Sequence, residues 1–287
     1  MSWEWDMARF ATALLAGVLL SFSGSLVQLT SRNELASPST LGMDGLAVLC
    51  VMIAVLMETM GIEYFLLSQT AFLIGLCFVT VFILLIKKIK IQNDFKIVLL
   101  LGLGLNLFVG ALFAFMQFMA MAFNKEFPEQ LWFGRMQSLS LGSSLLGLLA
   151  FIPIIVFLIF HRRHWKALLL GPGWCRGLGI PVDDILRQSL VVSFLATLWV
   201  VTHFGVFSFL GLLFPLVLRF LPRYQGHPWR EMTDGAMGAG FFFALLDHIC
   251  FNFTFHGAEI PVGLPSGVLG AAALVTVLTL RAVKTSR

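Results

Sequence analysis

Charge is what this sequence has least of. Asp, Glu, Lys and Arg make up 12% of its 287 residues, against about 25% in a soluble globular domain, while 59% of the residues are hydrophobic and the mean hydropathy is +0.92. A water-soluble domain is excluded, and the chain is an integral membrane protein. Tyrosine is nearly absent, two residues against 29 Phe and seven Trp, and the alternating segments of ~10 residues that mark a membrane barrel do not occur. The fold class is therefore all-α, a polytopic bundle of helices. Cysteine is sparse and scattered: Cys50, Cys77, Cys175 and Cys250 form no C-x-x-C pair, so they read as apolar fillers with no metal or redox role. No G-x-x-x-x-G-K-[ST] motif occurs, so the chain is not itself an ATPase and energy, if it comes from ATP, must enter through another subunit, and no H-E-x-x-H set equips the chain as a membrane-embedded enzyme. No cleavable signal peptide is expected, since Trp3, Glu4, Trp5 and Asp6 make a poor basic start. The net charge of +4 does not call for nucleic acid, because membrane proteins collect Lys and Arg in their cytoplasmic loops.

What is present is a series of long apolar runs. With ~20 residues needed per span, nine spans are expected at roughly 8–31, 42–58, 62–86, 96–122, 140–160, 187–204, 206–221, 234–251 and 265–283, in one domain covering 1–287. Gly205 and Pro215 predict an irregular or broken seventh span. All Lys and Arg except Arg9, Lys125 and Arg135 then fall on one side. That side is expected to be cytoplasmic, which puts the C-terminus inside and the N-terminus outside.

Between the first two runs lies the polar stretch Arg32-Asn33-Glu34-Leu35-Ala36-Ser37-Pro38-Ser39-Thr40-Leu41-Gly42. Its charges are costly in hydrocarbon, so it belongs at a membrane surface or in a pocket of protein. Arg32, Asn33, Leu35, Ala36, Pro38 and Gly42 resemble the R-N-P-L-A-x-P-x-x-L-G signature of FecCD-type permeases, the membrane subunits of ABC importers for iron chelates (siderophore or haem) and cobalamin. Glu34 replaces the first proline of that pattern. Further on, Gly205, Phe209, Gly211, Pro215 and Arg219 match G-P-I-x-F-V-G-L-x-x-P-H-x-x-R, with Val206 and Leu216 departing from it. Glu259, Pro261 and Gly263 resemble E-L-P-V-G, although the G-x-P-x-F continuation is missing. The chain resembles the family from its second helix onward.

The connection from His161 to Asp184 resembles the family's L-x-x-L-x-L-G-x-x-x-A-x-x-L-G-V segment. Ala167–Leu170 and Trp174–Leu178 are expected to form short helices there. The resemblance implies that Ala167, Leu168, Leu170, Gly171, Arg176, Leu178 and Gly179 couple the chain to an ATP-binding subunit. The alternative from the residues alone is a basic amphipathic loop lying on lipid headgroups. His161 and His164 read as a solvated basic face, with no third ligand near them. On the outer side the resemblance makes Arg9 a docking residue for a substrate-binding protein, with Asn252 and Glu259 nearby. Asp6 and Asn252 stand where the family carries further arginines, which points to a heterodimer. Asn106 falls on the family's pathway-lining helix. Asp247 and His248 are expected near the outer headgroups, serving packing and solvation.

The leading expectation is a permease subunit in a bacterial inner membrane, translocating an iron chelate, most simply a ferric siderophore. Its implied partners are a second permease, more readily a paralogue than an identical copy, two ATP-binding subunits and a periplasmic substrate-binding protein. The chain itself holds no cofactor or metal; ATP and Mg sit on the partner ATPases. The competing expectation is a proton-coupled secondary transporter, in which Asp247 or His248 would be part of a relay.

Overall fold

A computed structural model describes residues 3–60, 67–86, 91–122, 133–136, 151–152, 154–157, 159–161, 164–170, 172–207, 209–255 and 258–285. Ten α-helices are described: α1 Trp3–Ser31, α2 Met43–Thr59, α3 Leu67–Ile86, α4 Ile91–Ala122, α5 His164–Leu170, α6 Pro172–Gly177, α7 Val182–Phe204, α8 Leu210–Arg219, α9 Pro228–Asn252 and α10 Gly263–Thr285. Five of them, α1, α3, α4, α7 and α9, contain segments long and apolar enough to cross a membrane, while α8 and the Gly263–Val277 part of α10 are shorter apolar stretches. The only strands among the described residues are a two-residue rung, Thr254–Phe255 pairing antiparallel with Ala258–Glu259. The expected span at 140–160 lies mostly outside the described residues, and its described parts, 151–152, 154–157 and 159–160, are helical.

Helix α1 is the hub, packed against α7, α8 and α9. Lipid tails compete with every apolar side chain, so helices in a bilayer associate through close backbone approach and interhelical hydrogen bonds. Both devices are present. A Cβ on Gly24 would overlap the backbone of Gly211 in α8, and one on Gly17 would meet Ala239 and Gly240 of α9. Toward α7, the Ser23 hydroxyl lies 2.9 Å from the Ser193 carbonyl and 3.0 Å from the Thr197 hydroxyl. Ser193 returns a bond to the Ser23 carbonyl at 3.2 Å, and Gln28 donates to the Leu212 carbonyl at 3.3 Å.

The seventh expected span is broken as predicted. Gly205 sits at φ 85°, ψ −171°, a region open essentially to glycine alone, so α7 ends there, and α8 begins only at Leu210. At 10 residues, α8 is ~15 Å long and covers about half of a ~30 Å hydrocarbon core. Phe209 starts it in the left-handed region at φ 67° and accepts the Leu213 amide at 2.9 Å. It lies where a Cβ on Gly270 of α10 would fall. Pro215 lies within the helix and is buried.

The signature hairpin shows why its residue types matter. Arg32 ends α1 in the left-handed region, at φ 52°. Asn33 makes an Asx turn, its side-chain oxygen accepting the Leu35 amide at 3.0 Å and its carbonyl accepting the Ala36 amide at 3.1 Å. Ser37 and Thr40 exchange side-chain to backbone bonds, and Pro38 accepts the Met43 amide at 3.1 Å, leading into α2 across Gly42. Arg32, Asn33 and Leu35 are exposed, whereas Ala36, Ser37 and Pro38 are buried. The stretch is thus half surface and half pocket.

Gly24→Val places two methyl groups where the α8 backbone already lies. Overpacking costs ~1–3 kcal/mol even where neighbours can yield, and here the neighbour is main chain. The expected outcome is a lowered thermal midpoint in detergent and poor recovery of the folded chain, while Ser25→Ala on the same helix leaves both near wild type.

Candidate functional site

At the basic end of the bundle, the long connection after residue 161 folds into α5 and α6, the two short helices expected from its glycine and proline punctuation. Their base is anchored: Trp165 and Cys175 are fully buried, Trp165 stacks edge-on against Phe157 at 5.5 Å, and the Cys175 thiol donates to the Ala167 carbonyl at 3.0 Å. Contacts to α7 and α9 fix the pair to the bundle. Their tip is apolar and open to solvent, with Trp174 72% and Leu178 64% exposed. Of the residues expected to meet a partner, Leu178 and Gly179 are exposed, Ala167 is half-buried and Leu168 is buried, so Leu168 belongs to the base. The reason is helical phase, which turns Trp165 and Leu168, three residues apart, to one face. Leu170 is helical with its side chain outside the described residues; Gly171 and the Arg176 side chain also lie outside them.

Beside this knob, a cleft of about 440 Å³ is lined by Leu168, by Arg32 and Glu34 of the hairpin, and by Arg219, Tyr224 and Glu231 at the α8–α9 connection. Arg219 donates to the largely buried Glu231 carboxylate at 2.6 Å. That ion pair gives the family-motif arginine a structural task, closing the turn between α8 and α9. The Tyr224 hydroxyl donates to Asp234 at 3.1 Å, a bond that raises the phenol above its ordinary pKa.

At the opposite end, four charges form one chain. Arg9 grips Asp247 with two bonds, 2.8 and 3.0 Å, and lies over the Phe251 ring at 4.4 Å. Its remaining nitrogen is 3.6 Å from Glu259, which also takes a bond from Arg135 at 3.1 Å. The Asp247 side chain is 3% exposed, Arg9 15% and Arg135 36%. Arg9 is therefore committed inside the chain, and Arg135 is the more open of the two cations. The expectation that Asp247 serves packing and solvation is corrected: it is the buried half of an ion pair. His248 is exposed, with the Asn252 amide donating to its carbonyl at 2.8 Å. The Asp6 side chain lies outside the described residues. Val262 is buried, and Gly263 donates to the Gly134 carbonyl at 3.0 Å, seating the Pro261 turn against residues 133–136.

Asn106 is not aimed into open space. Its amide donates to the Ser39 carbonyl and its oxygen accepts the Gly45 amide at 3.0 Å, clamping α4 to the hairpin and to the start of α2. The surface that α4 leaves uncovered is apolar, with Leu100, Leu107, Phe108, Phe115 and Phe118 among its exposed residues.

Sequence similarity runs through the same framework. The profile of the FecCD transport family matches residues 1–280. The chain belongs to the FecCD transport family. As a FecCD permease it is a multi-span membrane transport subunit of the ABC-importer kind, not an enzyme, with ATP hydrolysis in a separate subunit. It is 26% identical over 280 residues to the vitamin B12 import system permease protein BtuC of Salmonella typhi, and 27% identical to BtuC of Salmonella typhimurium, in each case covering 96% of this chain and 82% of the relative. Its fold is similar to a chain from a metal-chelate type ABC transporter in an inward-facing conformation, with a TM-score of 0.75 at 19% identity, covering 95% of this chain and 85% of the other. A second likeness, to PsaBC from Streptococcus pneumoniae in complex with Fab, has a TM-score of 0.55 at 14% identity, covering 94% and 90%.

Two participants, Trp174 and Arg135, and one pairing were not singled out from sequence. Trp174 carries the exposed tip, and a tryptophan amid Gly and Pro in a basic loop was its signal. Arg135 was visible as one of three cations on the acidic side. The partner of Asp247 had no local signal, because 238 positions separate it from Arg9.

Removing one side of a buried ion pair leaves an uncompensated charge, at a cost of ~3–5 kcal/mol. Asp247→Asn is therefore expected to destabilise the chain strongly, and the double variant Arg9→Gln with Asp247→Asn to recover part of that loss. A thermal-unfolding double-mutant cycle in detergent reads the coupling directly.

Proposed function

We propose that this chain is the permease of a binding-protein-dependent importer in a bacterial inner membrane, and that its cargo is a metal chelate, first of all a ferric siderophore. The carrying observation is the knob: two short helices on a buried Trp165 base that present Trp174 and Leu178 at the basic end of the bundle. A rigid apolar projection is suited to a groove on an ATP-binding partner, and passes that partner's closure to α7 and α9 as a rigid-body push. ATP and Mg belong to that partner. The positive-inside bias puts the knob and the C-terminus in the cytoplasm and the Arg9–Arg135 cluster outside, where a substrate-binding protein would dock near Asn252 and Glu259.

Among the described residues on this side, Arg9 is neutralised by Asp247 and Arg135 is paired with Glu259, so they offer little free positive charge to a docking protein. That favours a heterodimer, with a paralogous permease supplying the stronger docking charges. Asn106 has a clamping role and the open surface of α4 is apolar, so chemical selection of the cargo falls to the binding protein. Cobalamin is the second reading, supported by the B12-import relatives.

The test is affinity purification of the tagged chain from its native membrane, with mass spectrometry of the accompanying proteins. An ATP-binding subunit and a related permease are expected. Trp174→Ala combined with Leu178→Ser should reduce recovery of the ATP-binding subunit about tenfold or more while the second permease still co-purifies. A chain that purifies alone, and transports only with a proton gradient, would overturn the reading. Uptake of radiolabelled ferric siderophore against radiolabelled cobalamin by the reconstituted complex separates the two cargoes.

A further inference from the structure

The cleft at the base of the knob, about 440 Å³ in volume, is within the size range of small-ligand pockets, ~300–1,000 Å³. Most of its polar lining is already engaged. Arg219 and Glu231 hold each other at 2.6 Å, the Tyr224 hydroxyl donates to Asp234, Glu34 is engaged as well, and Gln225 is exposed at the mouth. Two groups remain. Gln28, 1% exposed, gives its amide nitrogen to the Leu212 carbonyl at 3.3 Å, which fixes the orientation of the amide and leaves Oε1 buried with no partner among the described residues. Arg32 is exposed and enters none of the ion pairs among the described residues.

A buried acceptor without a donor is costly, so the floor of the cleft calls for a hydroxyl or an ammonium. Arg32 presents a planar fork of donors suited to a carboxylate or a phosphate. Glu34 and Glu231 line the same cleft, and two carboxylates repel a doubly charged phosphate more than a singly charged carboxylate. The two open groups are four positions apart, Gln28 in the last turn of α1 and Arg32 just past its end, which is ~6 Å along the axis. A small ligand with its anion beside its donor bridges that separation once the long Arg32 side chain folds over it. Leu29, Leu168 and Pro228 supply apolar walls for the rest of the molecule.

We propose that this cleft binds a small 2-hydroxy or 2-amino carboxylate, its carboxylate on Arg32, its hydroxyl or ammonium donating to Gln28 Oε1 and a short apolar chain against Leu29 and Leu168. The site goes beyond the function proposed above and depends on neither the cargo nor the ATP-binding partner. Bound there, the ligand bridges the signature hairpin and the base of the knob, so a solute on the basic side of the bundle bears on Leu168, the wall that carries the knob.

The test is a ligand-detected NMR titration of the full chain, purified in detergent from its native membrane with whatever subunits accompany it. Three acids of one carbon skeleton are used in turn: L-leucine, L-2-hydroxy-4-methylpentanoate and 4-methylpentanoate. At least one of the two donor-bearing acids is expected to bind wild type, and 4-methylpentanoate, which lacks the donor, to bind about tenfold more weakly than it, the worth of one hydrogen bond. Arg32→Gln should weaken the donor-bearing acid about tenfold. Gln28→Met should abolish its advantage while leaving 4-methylpentanoate near its wild-type affinity. Because Gln28→Met also removes the bond to Leu212, the elution position in size-exclusion chromatography reports whether each variant is folded, and the comparison of the three acids on wild type stands without any variant. If neither donor-bearing acid binds up to about 10 mM, water alone fills the cleft and the site is overturned. Equal binding of 4-methylpentanoate overturns the role of Gln28. Unchanged binding in folded Arg32→Gln, or displacement of the acid by a lower concentration of inorganic phosphate, overturns the carboxylate assignment.

Discussion

Everything in this bundle hangs on how closely α1 can approach its neighbours. Two helices whose side chains are as apolar as the lipid around them gain little from burying that surface, so the gain must come from backbone contact and interhelical hydrogen bonds. Gly24 against Gly211 brings α1 and α8 to main-chain contact, Gly17 does the same toward α9, and Ser23 with Ser193 and Thr197 ties α1 to α7. Helix α8 depends on this most. At 10 residues it cannot span by itself, and it holds its place because α1 lies under its backbone and Gln28 reaches its Leu212 carbonyl.

The few charges the chain retains are placed where they fasten this seam. Asp247 and Glu231 are both on α9, sixteen positions apart, which is ~24 Å along a helix. Each receives an arginine from a different element, Arg9 of α1 at one end and Arg219 of α8 at the other. A buried ion pair is an uncertain source of stability but a strict selector of register, because sliding the helix by a residue would leave two charges unmatched. Close packing sets the distance between the helices here, and the two ion pairs set how far along the axis they meet.

How much of this could be read from residues alone depended on the range of the signal. Periodic apolar runs and glycine or proline punctuation are local, and they placed α1, α4 and α10, the break at Gly205 and the two short helices after residue 161. The hairpin motif was legible for the same reason: Arg32, Asn33, Pro38 and Gly42 each act on backbone within a few positions. What was not legible is non-local. Arg9 looked like a free docking charge because nothing near it in sequence announces Asp247. Asn106 was expected on the pathway from the family resemblance, and its clamp went unread because both partners lie more than sixty positions away. Leu168 was expected among the coupling residues, and helical phase turns it to the buried base of the knob.

The position of Leu168 also links the two ends of the argument about motion. It is a wall of the same cleft that holds Arg32, Glu34 and the Arg219–Glu231 pair. The base of the knob, the signature hairpin and the α8–α9 turn therefore share one small volume. Packed interiors shift between discrete arrangements and do not deform continuously. A displacement of α5 that moves Leu168 must either carry the hairpin and the turn with it or open the cleft and weaken the Arg219–Glu231 pair. The hairpin leads through Ser39 and Gly42 to the Asn106 clamp on α4, and the turn leads into α9 and so to the Arg9–Asp247 pair at the far end. Two elements, α4 and α9, are thus tied to a single cleft. Among the described residues, a displacement of Leu168 is connected through the Arg219–Glu231 pair and the length of α9 to the Arg9–Asp247 pair at the far end of the bundle.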